Sequence, residues 1–420
     1  MTNILILGGG FGGISAALKL ERELKNNSDF KITLIDRNNF HLFTPSLYEV
    51  ATVYGLIQDN FAQYLRGSVA IPINEILKGK KVNFVQAEIK EINLKEKFVA
   101  SGGGAKLDFD YLIIALGGET EFYGIPGVQE YAFNFKSIDN AIGIFKKIQE
   151  IYKKYQKEKD EKDLRIAIIG GGFTGVEFAA ELGCCVGNII KDYKLSKTCT
   201  IISLFEAGPV ILSAINEKSR KAIEKRLKNE MVKIQINSPV AKVGPDYIKI
   251  GDGGEALNFD LVVWAGGVRG SRFLENLGLK LTKKGTIEIN DFLQTKNHDD
   301  SLNEKIFAIG DSATFIDPKT GKSVPAMAYV AYDQGAIAAE NIIKDINKQK
   351  LTPYKPFYDV WIAPAGGKWA YFYYKGIGIA GFTGYLLKQL VDFKYFLRIL
   401  PLNKALALFF KDLVIFTRND

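Results

Sequence analysis

The stretch Asn3-Ile4-Leu5-Ile6-Leu7-Gly8-Gly9-Gly10-Phe11-Gly12-Gly13-Ile14-Ser15-Ala16-Ala17-Leu18 decides the fold. Its first five residues are almost wholly apolar, the pattern of a short strand covered on both faces. The glycine run follows at once, and from Ile14 the apolar residues take helical spacing. Strand, glycine turn and helix open a dinucleotide-binding unit. Gly8, Gly10 and Gly13 fill the G-x-G-x-x-G positions. The first makes the tight turn, the second lets a pyrophosphate approach the backbone, and the third lets helix pack on strand. The helix N-terminus then offers free N–H groups and a positive dipole end to phosphates. Thr33-Leu34-Ile35 reads as the second strand, and Asp36 at its end is placed to accept from both hydroxyls of an adenosine ribose. A glycine-rich turn alone would be weak evidence; the strand, helix and acid around it supply the context.

The pattern then returns. Leu164-Arg165-Ile166-Ala167-Ile168-Ile169-Gly170-Gly171-Gly172-Phe173-Thr174-Gly175-Val176-Glu177 repeats it almost residue for residue, with Gly170, Gly172 and Gly175 in the motif positions. A strand from Cys199 to Phe205 ends in Glu206, the second ribose acid, after an extended helix and loop through Cys184 to Lys197. An acid there repels a 2′-phosphate and points to NADH over NADPH. Two strands mirror each other as closers: Asp110 to Gly118, and Asn258 to Val268. Each ends in small residues that let backbone approach a cofactor, or serve as a plain exit from the strand. Lys305-Ile306-Phe307-Ala308-Ile309-Gly310-Asp311 is a further buried strand. Asp311 would accept from a flavin ribityl hydroxyl while Gly310 lets the chain pass the pyrophosphate; a turn-forming Asp is the other reading. Pro325 to Gly335 starts a helix running to about Lys348; in folds of this class its N-terminus points at the flavin ring.

The totals agree with an α/β protein of two or three domains: 420 residues, 47% hydrophobic, net charge +8. No Lys/Arg-rich recognition stretch occurs, so nucleic acid is not expected, whereas anionic lipid headgroups are compatible. Three cysteines and two histidines make neither a disulfide framework nor a metal cluster, and fit a reducing compartment. No signal peptide is expected before the first strand, and no run of 18 uncharged apolar residues predicts a membrane-spanning helix. The aromatic stretch Arg37 to Ala51, with Pro45, predicts a loop leading into a helix, in which His41 makes a structural hydrogen bond. A C-x4-C pair there would signal dithiol chemistry, and none is present. Ser137 to Asp163 reads as a solvated helix and linker. Arg269 and Arg272 read as surface residues, with contact to a phosphate as the other reading. In the tail from Tyr371, Tyr385–Val391 and Leu402–Phe416 are helical with broad apolar faces. Phe393, Tyr395, Phe396, Phe409, Phe410 and Phe416, with Lys388, Lys394, Arg398, Lys404, Lys411 and Arg418, suit a membrane interface. A helical hairpin buried in a dimer or against the body is the alternative.

On these residues the chain resembles the type II NADH dehydrogenases, single-chain flavoenzymes passing electrons from NADH to quinone. The most specific piece is Asp36-Arg37-Asn38-Asn39-Phe40-His41-Leu42-Phe43-Thr44-Pro45 with Leu47-Tyr48 and Val50-Ala51. Gly175-Val176-Glu177, Glu206-Ala207-Gly208-Pro209, Trp264-Ala265-Gly266-Gly267-Val268-Arg269 and Gly310-Asp311 support it. The resemblance covers almost the whole chain. It implies two Rossmann-like dinucleotide-binding domains, glutathione-reductase-like, plus a C-terminal amphipathic helical membrane anchor. FAD would be held by the domain split between 1–118 and 292–350, NADH by 119–291 with a helical linker at 137–163, and the membrane and a dimer partner by 351–420. The FAD contacts implied are Gly8, Gly10, Phe11, Gly12, Gly13, Asp36, Arg37, Thr44, Ala87, Ala115, Gly117, Gly310, Asp311, Met327 and Ala328. Those implied for NADH are Gly170, Gly172, Phe173, Thr174, Gly175, Glu206, Gly266, Gly267 and Val268.

Glu177 resembles the family glutamate near the reacting rings; its other reading is an acid stabilising a helix N-terminus. The family's Ala-Gln-x-x-x-Gln beside the quinone reads here Ala328-Tyr329-Val330-Ala331-Tyr332-Asp333. Tyr329 can donate to a quinone carbonyl or stack on the ring, whereas an ionised Asp333 can only accept. The expected partners are a lipid quinone, the cytoplasmic face of the cell membrane and a second copy of the chain. Sulfide:quinone oxidoreductases need cysteines near the flavin, one late in the chain, and none follows Cys199. A soluble reductase of a carrier protein and a flavin-binding redox sensor are the remaining alternatives.

Overall fold

In a computed structural model that describes residues 1–53, 61–158, 163–192 and 200–416, two parallel sheets repeat one strand order. The chain opens with β1 (Thr2–Leu7), α1 (Phe11–Leu24), β2 (Phe30–Asp36), β3 (Phe40–Leu42) and α2 (Leu47–Thr52). Next come β4 (Val82–Gln86), β5 (Tyr111–Ile114) and the helix α3 (Ile138–Glu158). The second unit comprises β6 (Leu164–Ile169), α4 (Phe173–Asp192), β7 (Thr200–Phe205), β8 (Val232–Gln235) and β9 (Leu261–Trp264). Then follow β10 (Leu302–Ala308), α5 (Ala328–Ile346), α6 (Phe382–Ile399) and α7 (Leu402–Phe416).

The first sheet runs β10-β5-β1-β2-β4, with Gln294–Lys296 antiparallel on its outer edge. The second runs β9-β6-β7-β8 with Phe133–Asn134 beyond β9. In each, the motif strand lies between the strand that ends in the acid and the closing strand. The registers are Ile4↔Ile32 and Ile4↔Tyr111 in the first, Ile166↔Ile202 and Ile166↔Leu261 in the second. These strands are buried on both faces, which is why their sequences are nearly continuous apolar runs rather than alternations. Gly8 and Gly170 have φ of +107° and +115°, where any other residue is strained. A Cβ on Gly13 would lie 1.8 Å from the Gly8 carbonyl oxygen, and one on Gly175 2.0 Å from that of Gly170. Helix can therefore close on strand only where these residues are glycine.

One core lies around the first sheet, with Leu7, Leu34, Ile113 and Phe307 at its centre, and takes in Phe396, Ile399 and Ala405 from α6 and α7. A second surrounds Ile166, Ile168, Val263 and Phe178, and a third, smaller one holds Ala167, Ile169, Phe205 and Trp264. The second core takes in Leu47, Val50 and Ala51, so α2 leaves the first unit to pack on the second.

Several local expectations are corrected. His41 sits on β3, paired with Ala70–Pro72, rather than in a loop. The long helix begins at Ala328 rather than Pro325. Cys199, residues 193–197 of the helix-and-loop reading, 159–162 of the charged linker and Arg418 lie outside the described residues. Nothing in the sequence announced the antiparallel sheet of Val360–Pro364, Ala370–Tyr374 and Ile377–Gly381, where Trp361 stacks on Tyr371 and Tyr373. Among the described residues one helix, Phe173–Lys191, is long and apolar enough by length and composition to cross a membrane, and most of it is buried inside the protein as the core helix of the second unit.

The tail also differs from its reading in which residues face out. Lys388, counted with the positive charges of an exposed face, is only 4% exposed, and Phe396 is buried in the core. The outward face of α6 carries Phe382, Leu386, Leu390 and Leu397, and α7 adds Leu402, Phe410 and Val414, all exposed. Lys394, Arg398 and Lys404 are exposed beside them. Arg272 is exposed as expected, while Arg269 is half-buried and pairs with Glu275.

Candidate active site

A cavity of about 650 Å³ opens where the two units meet, a size suited to a cofactor or other small-molecule ligand. Three helices begin on it: Phe11 of α1, Thr174 of α4 and Ala328 of α5 all line its wall. None of the three has an acidic residue in its first turn, and α1 and α5 have no side-chain cap. Their terminal N–H groups and dipoles are thus left for an anionic ligand. At Gly10, which lines the cavity, a Cβ would meet nothing within 4 Å. The second motif glycine therefore leaves open the space that a pyrophosphate needs.

Of the residues expected to hold FAD, Gly8, Gly10, Phe11, Gly12, Asp36, Arg37, Thr44 and Ala87 line this cavity, as do Ala115, Gly117, Gly310, Asp311, Met327 and Ala328. Gly13 lies inside α1 against Gly8 and is off the wall. Asp36 Oδ2 accepts from Gly9 N–H at 2.6 Å and Oδ1 from Asn38 N–H at 2.7 Å. Burial raises its pKa and these two bonds oppose the rise. Each oxygen keeps a lone pair for a ribose hydroxyl. Gly310 N–H donates to Gln334 Oε1 at 2.7 Å, and Asp311 Oδ2 lies 3.4 Å from Lys136 Nζ, a cation on the same wall.

Of the residues expected to hold NADH, Thr174, Gly267 and Val268 line the cavity together with Glu177 and Trp264. Gly170, Gly172, Phe173, Gly175, Glu206 and Gly266 are not on its wall. Glu206 repeats the Asp36 arrangement: its Oε2 accepts from Gly171 N–H at 2.8 Å and its Oε1 from Gly208 N–H at 2.7 Å. Cys184 and Cys185 lie on α4 away from the cavity, and Cys185 is buried.

Glu177 is the acid at the junction. Burial raises its pKa to about 8, Lys388 opposing and Glu49 and Asp392 reinforcing the rise. At neutral pH it is chiefly a neutral carboxylic acid, able to donate a hydrogen bond or a proton. Behind it lies a polar line that was not foreseen. Tyr48, on the cavity wall, donates to Glu49 Oε1 at 2.7 Å; Lys388 Nζ is 2.8 Å from the same oxygen and 3.3 Å from Asp392 Oδ2. Burial alone would depress the Lys388 pKa; Glu49 and Asp392 outweigh it and hold the ammonium charged. Burial pushes Asp392 up to about 6. Asp412 of α7 joins the cluster with a buried Oδ1 that has no hydrogen-bond partner, and burial holds its carboxyl well above the usual range.

Tyr329 and Asp333 are not on the cavity wall. The Tyr329 hydroxyl is buried without a hydrogen-bond partner, and burial raises its pKa. Burial also raises Asp333, with Arg398 opposing.

Residues 2–335 match the family described as pyridine nucleotide-disulphide oxidoreductase. A type II NADH:quinone oxidoreductase of Staphylococcus haemolyticus is 31% identical over 356 residues, 84% of each chain, and one of Staphylococcus aureus matches at the same identity and coverage. Among solved structures, NDH2 from Plasmodium falciparum in complex with NADH superposes with a TM-score of 0.82 at 20% identity, covering 98% of this chain and 97% of that one. The sulfide:quinone oxidoreductase of Aquifex aeolicus gives a TM-score of 0.75 at 20% identity, covering 94% and 91%. The fold is therefore common to both activities, and the side chains must separate them.

Proposed function

The chain belongs to the type II NADH:quinone oxidoreductases, within the pyridine nucleotide-disulphide oxidoreductase family, and from this we propose that it oxidises NADH and reduces a quinone, with FAD as its resident cofactor. The observation that carries the reading is the single cavity shared by the glycine turn of the first unit and Thr174, Glu177, Gly267 and Val268 of the second. Bound FAD would take a hydride from NADH and pass two electrons to quinone. The protein's part is to seat and align. Gly8 to Gly12 and the start of α1 receive the flavin nucleotide's phosphates, Asp36 its ribose, and Asp311 its ribityl chain. Gly170, Gly172 and Gly175 seat the phosphates of NADH, and Glu206 its ribose. Glu177 donates to the nicotinamide carboxamide as a neutral acid, and the charged Lys388 with Glu49 and Asp392 lies behind it.

We assign Tyr329 and Asp333 to the quinone side, since neither lines the nucleotide cavity. The unpaired Tyr329 hydroxyl is the donor for a quinone carbonyl. The domains divide as 1–118 with 292–350 for FAD, 119–291 for NADH and 351–420 for membrane and dimer contact. The exposed apolar row of α6 and α7, flanked by Lys394, Arg398 and Lys404, supports peripheral attachment to the cytoplasmic face of the membrane. Steady-state NADH oxidation by the purified protein tests the reading, with menaquinone, ubiquinone and sulfide as parallel arms. Quinone-dependent turnover with NADH is expected; turnover with sulfide alone, or none with either quinone, would overturn it.

A further inference from the structure

In each unit the residue after the first motif glycine is pinned through both its N–H and its carbonyl, but by different means. In the second, Gly171 donates to Glu206, and its carbonyl accepts from Leu212 N–H at 2.8 Å, a local backbone bond. In the first, Gly9 donates to Asp36, but its carbonyl lies 3.0 Å from His41 Nδ1. His41 is fully buried, and its Nε2 is 2.8 Å from the Tyr395 hydroxyl of α6. A carbonyl can only accept, so the proton sits on Nδ1. Nε2 is then the acceptor and Tyr395 the donor. The ring is wedged by Phe11, edge-on at 4.7 Å between centroids, while Tyr395 stacks on Phe43 at 5.6 Å. Gly9 and Phe11 both line the cavity.

We propose that Tyr395, acting through His41, is a positioning residue for the flavin nucleotide: the seating of α6 sets the Gly9 peptide and so governs FAD retention, while the nicotinamide nucleotide is bound independently of it. This rests on the reading that the first unit holds FAD. Binding linkage is reciprocal, so FAD also holds α6 in place. Because α6 carries the exposed apolar row, whatever that row touches is felt at the flavin seat. Deleting the Tyr395 hydroxyl leaves Nε2 buried without a donor, and the energy of one such loss corresponds to roughly a tenfold change in retention.

The test uses full-length holoenzyme as wild type, Tyr395→Phe and Tyr332→Phe. Tyr332 stands edge-on to Tyr395 in the same aromatic group. Three quantities are read: FAD release on dilution, followed by flavin fluorescence; affinity for NAD⁺; and amide hydrogen exchange across α6 with and without FAD. Tyr395→Phe should release FAD about tenfold faster with NAD⁺ affinity unchanged, and Tyr332→Phe should match wild type. In wild type, FAD should slow exchange in α6, and Tyr395→Phe should lose that slowing. Unchanged FAD release in Tyr395→Phe, equal losses for both nucleotides, or wild-type α6 exchange indifferent to FAD would each overturn the proposal. The exchange measurement on wild type needs no variant to fold. A wild-type protein that takes up no FAD would bring down the reading beneath it as well.

Discussion

The two nucleotide units share strand order, glycine spacing and terminal acid, yet their loops are locked at different ranges. The second is closed by its own backbone: Glu206 leads through Gly208 to Leu212, and Leu212 returns to the Gly171 carbonyl. The first borrows a side chain, His41, whose far end is held by a residue 354 positions away. A seat for a ligand that comes and goes is self-contained; a seat for one that stays is tied into the rest of the molecule. Repetition of a motif therefore fixes what kind of ligand is bound, and the bonds around the motif fix how firmly.

The largest expected effect comes from moving one methyl group. Gly13→Ala places Cβ against the Gly8 carbonyl and should cost more than about 3 kcal/mol, giving colourless protein of low melting temperature. Gly175→Ala makes the same clash in the other unit, yet should leave flavin absorbance intact and abolish NADH affinity by calorimetry. Equal loss of both nucleotides in either variant would mean the units do not act separately.

Acid should also tell the units apart. Burial lowers the His41 pKa from 6.5 to about 4. Between those values the unfolded chain takes up a proton that the folded chain refuses, so this stability is complete above about pH 6.5 and lost as the pH falls towards 4. The full loss is about 3 kcal/mol. Flavin retention and unfolding midpoint, titrated over that window, should fall together.

A smaller effect is expected where the units meet. Glu177→Gln keeps the shape of the neutral acid but cannot yield its proton. FAD content should stay normal and turnover fall roughly tenfold to a hundredfold. Wild-type turnover should decline as pH rises through about 8, where the acid ionises, and the variant should lack that limb. The smallest is in the ribose acid: Glu206→Gln keeps one acceptor and removes the charge, so the preference for NADH over NADPH should narrow by about 1 kcal/mol in kcat/KM ratios.

The sequence made the two glycine turns, the closing strands and Gly310-Asp311 legible because each is local: a buried strand must run apolar, and a close approach must be glycine. Nearly all the expected flavin contacts line one wall for that reason. What stayed hidden depends on distant partners. Lys388 and Asp392, one helical turn apart, have the spacing of a solvated ion pair, and only the fold shows that Glu49 and Asp412 close over them. The sequence predicts for His41 a structural hydrogen bond within its own loop; the ring instead bonds outside it, to Gly9 and to Tyr395 of α6, partners that local pattern does not reveal. The strands at 360–381 escaped notice because their Tyr, Trp and Gly residues also suit an aromatic loop.

The first sheet has a consequence for how the protein is made. Its strand β10 arrives only after the entire second unit has left the ribosome, and His41 waits still longer, for Tyr395. At about 5–20 residues per second, the second unit's parallel sheet is synthesised several seconds before Tyr395 appears. Both units therefore wait on the tail, the first for Tyr395 and the second for Trp361, Ala363 and Tyr371 of its core, so neither nucleotide seat is complete until the chain is nearly finished.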